Sequence, residues 1–148
     1  MRIKKDVLVS LVMKVIGMVS TKPLVPIREN ILVDAMGRLT FQSENEVAGI
    51  RIASDVEVPK QERFFLAVPA RILADTVKQI QDEEVELIGD QEAKRLEIKT
   101  SNGLYKISCE PGGDFPKFPK LPEVLTELPA QALCGMIRPV LSCVSTDE

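Results

Sequence analysis

The sequence predicts an α+β domain in which two helices pack on antiparallel sheets. Three observations predict it. Two stretches carry apolar residues at helical spacing, several short runs alternate with a period of two, and turn residues join those runs closely enough for hairpins. The 148 residues allow one ordinary domain with a real core and fall short of two full ones. Hydrophobic residues at 45% and charged residues at 28% sit near globular averages, which excludes disordered, collagen-like and coiled-coil chains.

A very short first strand leads into a helix over residues 6–19, where Leu8, Leu11, Val12, Val15 and Val19 share one stripe. Asp6, Ser10, Met13, Lys14 and Gly17 fall on the other side. After Ser20-Thr21-Lys22-Pro23, residues 31–34 and 39–41 flank the turn pair Met36-Gly37 as a hairpin. Residues 49–58 form a further strand, Ile50 and Ile52 alternating with Arg51 and Ala53. The apolar run 64–68 stops at Pro69, read here as the first residue of a second helix over 70–80, where a missing N–H is tolerated. Residues 85–88, 96–99 and 104–109 alternate with period two, and Thr100-Ser101-Asn102-Gly103 joins the last two, giving an antiparallel meander.

Residues 111–122 hold four of the ten prolines and read as an extended linker closing a first domain at residue 122. Beyond it, a shift of 125 places (144 minus 19) lays Leu133, Met136, Ile137, Val140, Leu141 and Val144 on Leu8, Leu11, Val12, Val15, Ile16 and Val19. Ser145-Thr146 then falls on Ser20-Thr21. Residues 123–148 therefore read as the truncated start of a second copy, a strand and a helix without their own sheet. Pro139 and Gly135 oppose that helix, by about 3 and about 1 kcal/mol, so a break or a late start is expected.

A net charge of -3 and a pI near 5.2 argue against gripping nucleic acid by bulk charge, so any DNA role must be local or topological. Cys109, Cys134 and Cys143 form no C-x-x-C pair, which points to neither a disulfide framework nor a zinc site. That cysteine usage and the lack of a signal-peptide core suit a reducing cytoplasm. No apolar run approaches the ~20 residues needed to cross a bilayer. There is no histidine, no phosphate-binding loop and no nucleophile elbow, so neither an enzyme nor a metal or cofactor site is expected. Glu83-Glu84 and Glu44 with Glu46 read as loop solvation. Arg71 and Lys78 lie seven apart, on nearly the same side of the second helix and away from Leu73, Val77 and Ile80. By themselves they fit a solvated face in which Asp75 pairs with Arg71.

Several segments, in order, resemble the N-terminal domain of the bacterial DNA polymerase III beta subunit family, the sliding clamps. They are Lys22-Pro23-Leu24-Val25-Pro26-Ile27-Arg28-Glu29-Asn30-Ile31-Leu32, Val68-Pro69-Ala70-Arg71-Ile72-Leu73-Ala74-Asp75-Thr76, Tyr105-Lys106-Ile107-Ser108 and Asp114-Phe115-Pro116. Val144-Ser145-Thr146-Asp147-Glu148 resembles the end of the helix in the family's second domain. Ser43-Glu44-Asn45-Glu46 departs from the family's usual stretch.

The resemblance implies the DNA-clamp fold, three such domains per protomer, and two protomers closed head-to-tail with helices lining the hole. It implies a processivity factor whose homodimeric ring encircles duplex DNA and tethers the polymerase. Arg71 and Lys78 then become candidates for facing DNA, together with Lys22, which matches a basic position used against DNA, and Lys14 on the outer stripe of the first helix. Tyr105 and Ile107 match apolar positions at the contact with the neighbouring protomer, the competing reading being an internal core pair. The family's pocket for polymerase and clamp-loader peptides lies in later domains and maps to no residue here. A second function class is a stand-alone protein-binding module that docks on a clamp, or on itself, through its edge strand.

Overall fold

The computed structural model describes residues 1–119 and 127–144. These fall into two compact units, Met1–Phe118 and Pro119–Glu148.

The larger unit runs β1 (Arg2–Lys4), α1 (Lys5–Val15), β2 (Asn30–Asp34), β3 (Arg38–Glu44), β4 (Gly49–Glu57), β5 (Phe65–Pro69), α2 (Ala70–Gln79), β6 (Glu84–Asp90), β7 (Arg95–Lys99), β8 (Leu104–Ser108) and β9 (Glu110–Pro111). All pairings are antiparallel, in a sheet ordered β1-β6-β7-β8 and another ordered β4-β3-β2-β5-β9. The chain is thus two strand-helix-meander runs, β1-α1-β2-β3-β4 and β5-α2-β6-β7-β8. Each run lends its first strand to the other's sheet: β1 pairs with β6, and β5 with β2. Neither half can close its sheet without the other, so the unit folds as a whole.

One core lies between the helices and both sheets. Leu8, Val12 and Val15 of α1 and Leu73, Ala74 and Val77 of α2 meet Ile31, Phe41, Leu66, Leu87, Leu96 and Ile98 from the strands. At about 1.5–3 kcal/mol for each large apolar side chain fully buried, this layer supplies most of the driving force for folding. Gly89 of β6 is required by a close approach, since a Cβ there would sit 2.0 Å from Cγ of the buried Phe64. The far face of the β2 sheet has its own smaller cluster, where Phe115 covers Ile27, Leu32 and Ala67.

Several boundaries differ from the sequence reading. The α1 helix stops at Val15 and tightens into a 3-10 turn, Ile16–Met18, which carries Val19 half-buried beyond it. Met13, assigned to the outer side, packs in part against the core. Pro69 is the N-cap of α2 rather than its first residue, because it also ends β5 opposite Asn30. The segment read as linker begins inside the fold: Glu110 and Pro111 pair with β5, Gly112–Asp114 forms a 3-10 turn, and Phe115 is buried.

In the smaller unit, α3 spans Ala130–Val140 and continues into a 3-10 turn, Leu141–Cys143. Shifted by 125 places, these bounds fall on Lys5–Val15 and Ile16–Met18 of α1 and its turn. The expected break at Pro139 is absent. The ring stands one residue from the helix end, where it removes a single backbone bond instead of dividing the helix. No strand is assigned over 127–129, and the rest of the stretch in which a strand was expected before α3 lies outside the described residues. The last part of the proposed linker and the Ser145-Thr146 match lie outside the described residues.

Candidate nucleic-acid interface

The two helices form one layer of the larger unit, and each turns its apolar stripe to the sheets. The side chains left over form a solvent face: Asp6, Ser10 and Lys14 from α1, and Arg71, Ile72, Asp75 and Lys78 from α2. Lys22 is exposed in the loop after the α1 turn. Counting Lys14, Lys22, Arg71 and Lys78 against Asp6 and Asp75 gives this face a charge of +2 on a chain of net -3. None of the four cations makes an ion pair within 4.0 Å of a described residue, and the anticipated Arg71–Asp75 pair does not form. Of the other described basic side chains, Arg2, Arg28, Arg51, Arg95, Lys99 and Lys106 are each paired with a carboxylate, while Lys4, Lys5, Arg38, Lys60, Arg63, Lys94, Lys117 and Arg138 are not.

The loop carrying Lys22 is fastened by a network that the sequence reading missed. Arg28 donates from Nε to Glu44 Oε1 at 3.3 Å, and its Nη1 lies 3.5 Å from Glu46 Oε1. Glu46 also accepts the Leu24 amide at 3.2 Å and the Ser20 hydroxyl at 3.4 Å. The Leu24 amide, the amide of Glu46 itself, the Arg28 charge and the Ser20 hydroxyl together hold the Glu46 carboxyl below its ordinary value against the opposing effect of burial. Glu44 and Glu46 are therefore ion-pair partners and not loop solvation. The signal was Arg28 within the segment 22–32, but nothing in the sequence places it beside the β3–β4 hairpin.

Tyr105 and Ile107 point inward from β8, opposite Ile98 and Leu96 of β7. Ile107 is buried in the core and Tyr105 is half-buried against it. Ile107 is thus covered within its own unit, as the competing core-pair reading requires, and Tyr105 keeps part of its surface accessible. The outward positions of β8 are Leu104, Lys106 and Ser108, all exposed, and β8 ends its sheet.

Among the described residues no group of three or more His, Cys, Asp or Glu could hold a metal, and no helix is long and apolar enough to cross a membrane. Burial pushes the Cys109 thiol up to about 11, so it is no thiolate nucleophile near neutral pH.

The fold is shared with known structures. The Bacillus subtilis DNA polymerase sliding clamp superposes with a TM-score of 0.86 at 22% identity, over 99% of this chain and 40% of that one. The Streptococcus pneumoniae DNA polymerase III beta chain gives 0.84 at 13%, with the same coverage. A Eubacterium rectale protein described as a putative DNA polymerase III beta subunit gives 0.75 at 24%, over 82% of this chain and 33% of that one. The chain thus spans between a third and two fifths of the length of these relatives. No curated protein matches significantly. The family described as "DNA polymerase III beta subunit, N-terminal domain" matches residues 1–119, and the chain belongs to that family.

Proposed function

We propose that this domain is one segment of a sliding-clamp ring, and that its helix layer faces duplex DNA while β8 offers an edge to a neighbouring protomer. The observation that carries the reading is the local charge of the helix layer. Lys14, Lys22, Arg71 and Lys78 stand there exposed and unpaired against Asp6 and Asp75, a local charge of +2 on a chain of net -3, whereas the bases of β7 and β8, Arg95, Lys99 and Lys106, are each paired with a carboxylate. Unpaired cations attract phosphates at short range without sequence information, and sparse contacts leave DNA free to slide. Encirclement supplies retention, which accounts for an acidic protein acting on a polyanion. At β8, the unpaired backbone edge and the outward Leu104 and Lys106, with Tyr105 partly accessible, would meet the partner strand.

Polymerase and clamp loader are served through parts of the ring that this domain does not contain. The fold of the clamp relatives, together with the missing ingredients of catalysis, supports a non-catalytic role. The β8 edge equally supports docking on a clamp by a lone module, but that reading leaves the unpaired helix cations without a purpose.

The test is fluorescence anisotropy of a labelled duplex against salt. Weak binding at low salt should vanish at physiological salt, and Lys22→Glu with Arg71→Glu should abolish it, whereas Lys99→Glu should change it little. Loss with Lys99→Glu and none with the helix-layer pair would overturn the proposal, as would tight salt-resistant binding by the wild-type chain.

A further inference from the structure

Of the four cations of the helix layer, Lys22 alone stands on a loop, whereas Lys14, Arg71 and Lys78 are carried by α1 and α2. A helix fixes where its side chains start, and a loop does so only if something fastens it. Residues 20–24 have little of their own for this. None of their side chains is buried, and no hydrogen bond joins their backbone to another backbone group among the described residues. Lys22 and Val25 each precede a proline, which narrows their own φ and ψ but places the loop against nothing.

The fastening comes from the β3–β4 turn. Glu46 accepts the Ser20 hydroxyl and the Leu24 amide, which lie two residues to either side of Lys22. Arg28, just beyond the loop, reaches the same carboxylate and Glu44. Glu46 is itself held. Asn45 Oδ1 accepts the amides of Val47 and Ala48 at 2.8 Å, and the Asn45 amide donates to the Ala48 carbonyl at 2.9 Å, which closes the turn around Glu46. Behind the turn, the Ser43 hydroxyl donates to the Val15 carbonyl at the end of α1. An unbroken series of contacts therefore runs from the helix that carries Lys14 to the loop that carries Lys22.

We propose that Glu46 is a positioning residue for DNA contact, holding residues 20–24 in an arrangement that presents the Lys22 ammonium to a phosphate of the duplex, with Arg28 holding Glu46 in turn. The inference rests on the DNA-facing reading and adds to it the acid that sets where a cation stands. By charge alone, an acid beside a DNA-facing loop is unfavourable. The number of donors it takes up accounts for its presence. A carboxylate accepts from Ser20, Leu24 and Arg28 together, whereas a glutamine offers one oxygen and turns an NH2 towards donors. A loop fastened in advance does not have to be ordered at the moment of contact, so more of the attraction emerges as affinity.

The experiment is a double-mutant cycle between positions 46 and 22 on the whole 148-residue chain, read by anisotropy of a labelled duplex at low salt and by the salt dependence of binding. Lys22→Ala should weaken binding and flatten the plot of log K against log salt by about 0.9, the equivalent of one phosphate contact. Glu46→Gln should also weaken binding, by about threefold, and flatten the plot, although it removes a negative charge. Asp55→Asn, the same change of charge at an exposed site on β4, should tighten binding slightly. In the Lys22→Ala background Glu46→Gln should behave as Asp55→Asn does, since no cation is left on the loop to position. A role in stability alone would not depend on Lys22 in this way. Ser20→Ala removes one tie without a change of charge and should weaken binding by less than Glu46→Gln; it carries the cycle if Glu46→Gln shifts the urea midpoint. Tighter binding by Glu46→Gln beside weaker binding by Lys22→Ala overturns the positioning role and leaves the DNA-facing reading standing. An equal loss from Glu46→Gln in both backgrounds overturns it too. If Lys22→Ala and Arg71→Glu both leave binding unchanged, the DNA-facing reading falls and takes the positioning role with it.

Discussion

The helices α1 and α3 have the same length and the same trailing turn, and they present apolar residues at equivalent positions, yet one stripe is buried and the other is not. Leu8, Leu11, Val12 and Val15 are at most 5% exposed, whereas Leu133, Met136, Ile137 and Val140 are at least 42% exposed. The difference lies in what surrounds them. The α1 stripe is covered by α2 and by β3 and β4, and among the described residues the smaller unit contains no sheet. A periodic pattern therefore specifies a face that wants covering and is silent about whether the cover is present.

The comparison can be broken by truncating equivalent positions. Leu8→Ala should cost about 2–5 kcal/mol in a denaturant transition, since it empties a fully buried site. Leu133→Ala, its register partner, should change that transition by less than about 0.5 kcal/mol, as an exposed substitution does. Equal effects would mean that the α3 stripe is covered in solution.

A smaller effect separates two glycines. Gly89→Ala forces a methyl into the Phe64 ring and should cost about 1–3 kcal/mol in the same transition. Gly135→Ala meets no atom within 4 Å and should instead favour α3 by about 1 kcal/mol, visible as added helical ellipticity with no change in the main transition.

The smallest effect belongs to Glu46. Its folded carboxyl titrates below the ordinary 4.5, so the contribution of the strap is fully present above that value and is lost as pH falls through the lower, folded one. Hydrogen exchange of the Leu24 amide should show reduced protection below pH 4.5, after allowing for the pH dependence of intrinsic exchange, while a core amide such as that of Val33 keeps its protection. Glu46→Gln should remove the pH dependence. An amide equally protected across this range in both proteins would show that the ion pairs do not hold the loop.

Much of this fold could be read from local pattern. The stripes of α1 and α2 emerged because burial on one side imposes a period of about 3.6, and the β6–β7–β8 meander because one-sided sheets impose a period of two. Errors gathered at ends. Pro69 was placed one residue too far along because a proline closing a strand and one opening a helix look alike in sequence. Glu44 and Glu46 were taken as solvated because their partner, Arg28, is 16 residues from the first of them.

The sequence by itself determined which side of each helix and strand is apolar, where turns fall, that α3 repeats α1 at a spacing of 125, and which family the ordered segments resemble. Only the tertiary structure decided the exchange of β1 and β5 between the two halves, the burial of Ile107, the strap on the Lys22 loop and the meeting of Asn30 with the start of α2. The division has one physical cause. Periodicity is a property of neighbours along the chain, whereas partners for polar groups and covers for apolar faces come from distant segments, and their identity depends on how the whole chain closes its sheets.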